Sequence, residues 1–515
     1  MRDTRSTFRL LLTAEEAYPA FERAVLAAQD RIVMGFRVFD PVTRLRSDEA
    51  REIGDDWVDL LVHLLKRGVR IDLTLSDFDA IGSPEMHGLT WSSLRKMAAV
   101  AELAGDAGHR LSARAALHPA RVGWMTGTLL WPRVRSELRE ITDGLNALDP
   151  EMRRQRMRDL PGLRRWLTED DGGKIVQTQG GPFPLHPVSH HQKLAVVDGK
   201  TLYIGGLDLN PRRYDTTRHH RPSEETWHDV QLIAEGPVAA HAEAHLRAFV
   251  AVTHGQAEPA AEGDGLRLTL TRARPAQRVN FGPQRLLSGL NDTLIERIGA
   301  ATRTLYFETQ FFRDVALARA VAAAGRAQPD LQALFILPAA PEDVAFERRN
   351  KADARFGEYL QARCVKLVCK AFGDRVFFAS PVQPRSADFG DADQRDKFGG
   401  APLIYVHAKV AVFDAESALV SSANMNGRSL HWDTEAGLIC DDPGFAAEVQ
   451  QRALGHWAYK RHYDPDAPLV AQVRAWADED WHRQPENREG YLLPYDVSPA
   501  RRFGMPLPGV PAEMV

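Results

Sequence analysis

Two stretches of this chain share one spacing. His191 is followed by Lys193 two residues on and by Asp198 seven residues on; His407 is followed at the same distances by Lys409 and Asp414. Alternate residues of a strand share a face, so each histidine and its lysine should point the same way. The residues between lysine and aspartate are apolar in both copies, as in a strand covered on both sides. Asp198-Gly199 and Asp414-Ala415 then turn the chain. Residues 201–206 and 417–422 return at equal offset and end in small side chains, which permit close approach of backbone to a ligand. One His-x-Lys says little. Two, with matching downstream strands, predict two copies of one unit built to meet.

The flanking sequence repeats as well. Residues 14–30 and 49–67 read as helices, 31–39 and 69–78 as strands, a parallel α/β alternation. The second half repeats the order with helix 283–300, strand 303–312, helix 314–326 and strand 331–338, followed by a helix at 342–363 and a strand at 365–370. A further strand is expected at 174–179, a strand at 227–233 and a helix at 237–250. The expected organisation is a first lobe at 1–253 with an insertion around 83–165, a linker and lead-in at 254–282, a second lobe at 283–460, and a tail at 461–515. The tail, rich in proline and tryptophan without clear periodicity, is expected to wrap over the core in extended form. The basic cluster at 153–166 reads as a solvated helix face, the alternative being a rim that attracts an anionic substrate or a membrane surface.

Asp plus Glu number 69 against 65 Lys plus Arg, for a net charge of -4, which argues against a nonspecific nucleic-acid binder. Cys364, Cys369 and Cys440 make neither a disulfide framework nor a zinc-ligand pattern. No run approaches the roughly 18 apolar residues of a membrane span, and residues 1–18 do not read as a signal peptide. The expectation is a cytoplasmic protein or one peripheral to a membrane, without a transmembrane anchor.

The paired motifs resemble those of the phospholipase D superfamily. The second copy carries His407, Lys409, Asp414, then Ser421 in place of the usual glycine, Ser422 and Asn424. The first carries Gly205 and Gly206 within GGLDLNPRRYD, which resembles the first motif of phosphatidylcholine-hydrolysing members. Asp208 stands where the second copy has Asn424, and Asn210 aligns with Asn426. Glu308 and Gln310, in FETQFF, resemble a further family segment. The resemblance covers roughly 14–460 and implies two similar α/β lobes with mixed central sheets, related by a pseudo-twofold axis, with both histidines facing one cleft. One chain then completes the site without dimerising.

The chemistry fits these residue types. One imidazole can attack phosphorus and form a phosphohistidine, splitting one hard step into two. The other can protonate the leaving alcohol and then deprotonate the incoming acceptor. The residues alone leave the two histidines equivalent; the resemblance makes His191 the nucleophile and His407 the general acid. It also gives Lys193, Lys409 and Asn424 to the phosphate oxygens. An orienting carboxylate should hold the second nitrogen of each ring. Asp229 and Glu435, each opening the strand after a motif, are the candidates. Asp198 and Asp414 are expected to tie down the turns. The scheme requires no cofactor and no metal. His190, His219, His220 and His228 receive no chemistry. Phe36, Phe39, Phe183, Phe311 and Phe312 are candidates for an acyl entrance. The resemblance implies a phospholipid substrate at a membrane surface, converted to phosphatidic acid and alcohol, with an alcohol able to replace water. The alternatives are a cardiolipin synthase-like phosphatidyltransferase, a nuclease or general phosphodiesterase, and a non-catalytic lipid- or phosphate-binding protein.

Overall fold

Seven strands occur in one spatial order twice. In the first half they are Thr7–Leu12, Val230–Glu235, Thr201–Gly205, Leu194–Val197, Arg31–Phe36, Arg70–Asp77 and Leu111–Leu117. In the second they are Leu266–Arg272, Glu435–Cys440, Ser417–Ser421, Lys409–Phe413, Thr304–Thr309, Gln332–Ile336 and Val376–Pro381. The last three of each set run parallel and the other pairs antiparallel, so both sheets are mixed. Gln284–Ser288 and Leu492–Pro494 extend the second sheet at its two edges. The computed structural model describes residues 6–178, 183–275, 278–346, 351–387 and 395–515.

Parallel neighbours need helical crossovers, and the sequence supplies them with caps. Asp56 accepts from the Val58 and Asp59 amides to start helix Trp57–Lys66, whose Leu60, Leu61, Leu64 and Leu65 form one buried stripe. Asp314 does the same for helix Val315–Ala327 through the Leu317 amide. The two sheets share one apolar core, in which Leu194, Val196 and Leu232 of the first meet Val410, Val420 and Leu438 of the second, with helices Pro237–Thr253 and Pro443–Ala458 packed into it. Separate cores lie beneath the outer helices of each half. Truncating one such residue, for example Leu438→Ala, should cost about 2–5 kcal/mol.

The halves meet reciprocally. His190 bridges Thr434, and His228 bridges Val406, both in parallel sense. Contacts that exchange roles across two like units are those of a twofold.

Several expectations are corrected. Residues 365–370 are not a strand: they lie inside helix Ala352–Phe372, and the strand follows at Val376–Pro381. Leu360, Cys364, Val368 and Phe372 are buried at every fourth position, and this helical period decides the segment. The helix expected at 342–363 is two, Glu342–Ala345 and the one just named, with 347–350 outside the described residues. Residues 284–288 are a strand and the helix begins at Gly289. The strand expected at 174–179 is Ile175–Gln177, with Gln179 outside the described residues. Helix Pro84–Leu103 and strand Leu111–Leu117 have counterparts in the second half, so the extra length of the first half begins after 117 rather than at 83. The 461–515 region is not an extended wrap: it holds helix Leu469–Trp481 and strand Leu492–Pro494, which pairs with Val376–Pro381.

Candidate active site

Each histidine precedes its strand, at the end where the two sheets meet. The His191 amide donates to the Thr434 carbonyl at 2.9 Å, and the His407 amide to the His228 carbonyl at 2.8 Å. These carbonyls belong to the residues just before Glu435 and Asp229. The backbone pairing therefore sets each carboxylate beside the histidine of the opposite half. Glu435 Oε1 lies 2.8 Å from His191 Nδ1, and Asp229 Oδ2 lies 2.6 Å from His407 Nδ1. A carboxylate accepting from Nδ1 favours the proton there and leaves Nε2 as the free nitrogen of the neutral ring.

The lysines are as buried as the histidines. Lys193 Nζ donates to the carbonyl of His191, and Lys409 Nζ to that of His407. Lys409 Nζ also stands 2.9 Å from His407 Nδ1. Burial, then the neighbouring lysine charges, pushes both histidines well below their usual range; each also feels the lysine of the other motif, so the four groups share one site. Burial lowers Lys193, and lowers Lys409 to about 7. It raises Asp229, and raises Glu435 to about 8. Burial of this depth disfavours charge of either sign, and a phosphodiester anion beside the lysines would favour their charged form.

The small residues have specific neighbours. A Cβ on Gly206 would stand 2.2 Å from Asp229 Oδ1, so only glycine leaves that carboxylate in place. Ser422 occupies the matching place in the second half and donates its hydroxyl to Glu435. Gly205, at φ +157°, packs against Gln231 and the Val230 carbonyl. Asn424 is buried, with its side-chain oxygen unpaired among the described residues. Asp208 instead accepts from the Val38 amide at 2.9 Å and lies 3.5 Å from Arg37. Asn210 and Asn426 are equivalent helix caps, accepting from the Arg212 and Ser429 amides. Asp198 accepts from the Gln29, Asp30 and Arg31 amides, and Asp414 from those of Thr302, Arg303 and Thr304. Both carboxylates sit at the far end of the motif strand and tie its turn to the neighbouring strand.

Some expected residues lie elsewhere. Glu308 is buried behind the cleft, bonded to His228 Nε2 at 2.9 Å and Trp457 Nε1 at 2.7 Å. Gln310 donates to the Tyr405 hydroxyl. Phe36, Phe39 and Phe312 belong to the cores and line no entrance. Sequence reasoning missed three groups. Arg37 follows strand Arg31–Phe36 as Gln310 follows Thr304–Thr309, and its charge acts on His191. Aligning those two strands would have found it. Trp227 packs on the His407 ring at 4.5 Å, and Arg213 lies 3.5 Å over the Trp227 ring. These two have no signal at motif spacing.

Fold and site together define a two-lobed α/β enzyme class with paired His-Lys motifs suited to phosphodiester chemistry. The family model described as "Cardiolipin synthase, PLD-like domain" matches residues 294–457. Phospholipase D alpha 3 of Arabidopsis thaliana is 22% identical over 484 aligned positions, covering 64% of this chain and 56% of that protein. Cardiolipin synthase A of Pseudomonas fluorescens is 25% identical over 275, covering 52% and 47%. Phospholipase D alpha 1 of Carica papaya is 33% identical over 106, covering 14% and 13%. A solved phosphatidylserine synthase from Haemophilus influenzae aligns at 11% identity with a TM-score of 0.47, covering 92% of this chain and 93% of that one. The chain spans about half the length, or less, of these curated relatives. The family model and these relatives support a place in the phospholipase D superfamily. Among the described residues no helix is long and apolar enough to cross a membrane.

Proposed function

We propose that this chain is a phospholipase D-type phosphodiesterase that cleaves phospholipids such as phosphatidylcholine to phosphatidic acid and the head-group alcohol. The observation that carries the reading is the crossed arrangement of two His–carboxylate pairs around two buried lysines. In the first step His191 Nε2 bonds to phosphorus, the bond to the head-group oxygen breaks, and His407 gives that oxygen its Nε2 proton. In the second step water bonds to phosphorus and passes a proton to His407 while the P–N bond breaks. Lys193, Lys409 and Asn424 neutralise the nonbridging oxygens as charge develops. No residue in this scheme is a metal ligand.

Contact with a membrane surface has its own support. Helix Trp124–Ala147 begins with Trp124, Met125 and Leu129, which are 65%, 46% and 78% exposed. The Val122 amide just before it bonds the Leu185 carbonyl, in the segment that leads to His191. An apolar cluster one loop from the site suits a peripheral lipid contact. The second reading is a phosphatidyltransferase, in which a lipid hydroxyl replaces water; the family-model description and the Pseudomonas fluorescens relative favour it.

The test is product analysis from a mixed phospholipid panel, with and without a primary alcohol, for the wild type beside His191→Ala and His407→Ala. Phosphatidic acid, diverted to phosphatidyl alcohol by the acceptor and absent from both variants, supports the first reading. Cardiolipin formed from phosphatidylglycerol supports the second. Turnover confined to nucleic acid or simple phosphodiesters would sink both.

A further inference from the structure

Three histidines outside the catalytic cluster converge behind it. His219 lies in the loop between the first motif and strand Val230–Glu235, His228 two residues before that strand, and His456 on helix Pro443–Ala458 of the second half. One nitrogen of each falls within 4.8 Å of the others, and this is the only such group among the described residues. His219 Nε2 and His456 Nε2 are 3.0 Å apart. The ring centroids are separated by 5.1 Å (His219–His456), 4.9 Å (His228–His456) and 5.8 Å (His219–His228). Three imidazoles on one tetrahedral ion at the usual Zn–N length place their nitrogens about 3.3 Å and their centroids about 5 Å apart.

Two of the remaining nitrogens are occupied as a metal site demands. His219 Nδ1 is 2.6 Å from Asp215 Oδ2, and His228 Nε2 is 2.9 Å from Glu308 Oε2. Such carboxylates fix the tautomer and free the opposite nitrogen as a ligand. The freed nitrogen of His228, Nδ1, is fully buried and has no hydrogen-bond partner among the described residues. A buried imidazole nitrogen without a partner is costly. Asp215 and Glu308 are themselves wholly buried, and their ion pairs among the described residues are with these two histidines, not with lysine or arginine.

We propose that His219, His228 and His456 bind one divalent transition-metal ion, with zinc the best chemical fit. Three nitrogen ligands suit zinc rather than magnesium or calcium, which prefer oxygen. His456 is partly exposed, which gives the ion a way in and solvent as a fourth ligand. The ion joins the first half to the second. Its ligand His228 is the residue whose carbonyl receives the His407 amide and whose neighbour Asp229 holds the His407 ring. The site is therefore a clasp behind the cleft and takes no part in the phosphoryl step.

The test uses the full chain purified without a histidine tag, stripped with chelator and titrated with Zn²⁺ and with Co²⁺. One equivalent per chain is expected, with the visible absorption of tetrahedral Co²⁺ and a rise in unfolding midpoint with Zn²⁺ but not Mg²⁺. His456→Gln should lose the Co²⁺ spectrum. Asp215→Asn should retain it with affinity reduced about 10–100-fold, and decides the matter if the first variant does not fold. No saturable binding of either ion by the stripped wild type would overturn the proposal. So would binding undiminished in both variants. Metal stoichiometry is read independently of lipid turnover, so either proposal can fail alone.

Discussion

Replacing Asp229 by asparagine keeps the shape of the site and removes one charge. The carboxylate is fully buried and 2.6 Å from His407 Nδ1. The centres of the two charges are roughly 4 Å apart, where the attraction at an effective dielectric of 20 is about 4 kcal/mol. Burial and the charge of Lys409 already oppose protonation of His407. Losing Asp229 should therefore reduce the imidazolium population about a thousand-fold. If His407 is the general acid, the loss falls on leaving groups that need a proton. Turnover of phosphatidylcholine should drop about a thousand-fold. A p-nitrophenyl phosphodiester, whose phenolate departs unprotonated, should still give a burst of one equivalent followed by slow turnover. Rapid quenching and peptide mass spectrometry should then find phosphate on His191. Equal losses with both leaving groups and no burst would refute the assignment. A burst seen instead in Glu435→Gln, with phosphate on His407, would exchange the two roles.

Three further outcomes are expected. Burial sets Lys409 at about 7 and Glu435 at about 8, so an oxyanion such as tungstate should bind with proton uptake above pH 7 and weaken as pH rises; calorimetry in buffers of different ionisation enthalpy measures this, and Lys409→Met should reduce the uptake. Burial pushes the Asp198 carboxyl up, but the Arg31, Gln29 and Asp30 amides outweigh it and hold the group below its usual range. Its stabilisation is complete above the unfolded-state value and is lost as pH falls through the folded one, so Asp198→Asn should cost about 1–3 kcal/mol at pH 7 in urea melts and less in acid. Gly206→Ala should push Asp229 off His407, reducing kcat on phosphatidylcholine by at least ~100-fold while far-UV circular dichroism stays native; wild-type turnover in that variant would count against the role given to Asp229.

Much of the architecture was legible because the signals were local. The helix–strand alternation of 14–78 and 283–338 follows apolar period and caps, and the structure has helices Thr13–Leu26 and Val315–Ala327 and strands Arg70–Asp77 and Gln332–Ile336 there. A short window of sequence misleads. VKLVCK is β-like for six residues but belongs to a 21-residue helix whose buried positions recur at helical spacing. The Leu492–Pro494 strand exists only because Val376–Pro381 offers it an edge, and no three-residue window can report that. Arg213 and Trp227 reach His407 through a loop fold, and no sequence period records loop geometry.

By itself the sequence determined that two His-Lys units exist, that each heads a buried strand with an aspartate at its turn, and that a carboxylate opens the strand after each. Spacing along a strand is a local quantity, so it survives in the one-dimensional record. Only the tertiary structure decided which carboxylate serves which histidine. Asp229 and Glu435 open strands within their own sheets, yet each acts across the interface, because the His191 amide pairs with Thr434 and the His407 amide with His228. That pairing depends on two sheets meeting about a twofold, a relation between residues more than 170 positions apart, and backbone hydrogen bonding between distant segments leaves no mark on either one.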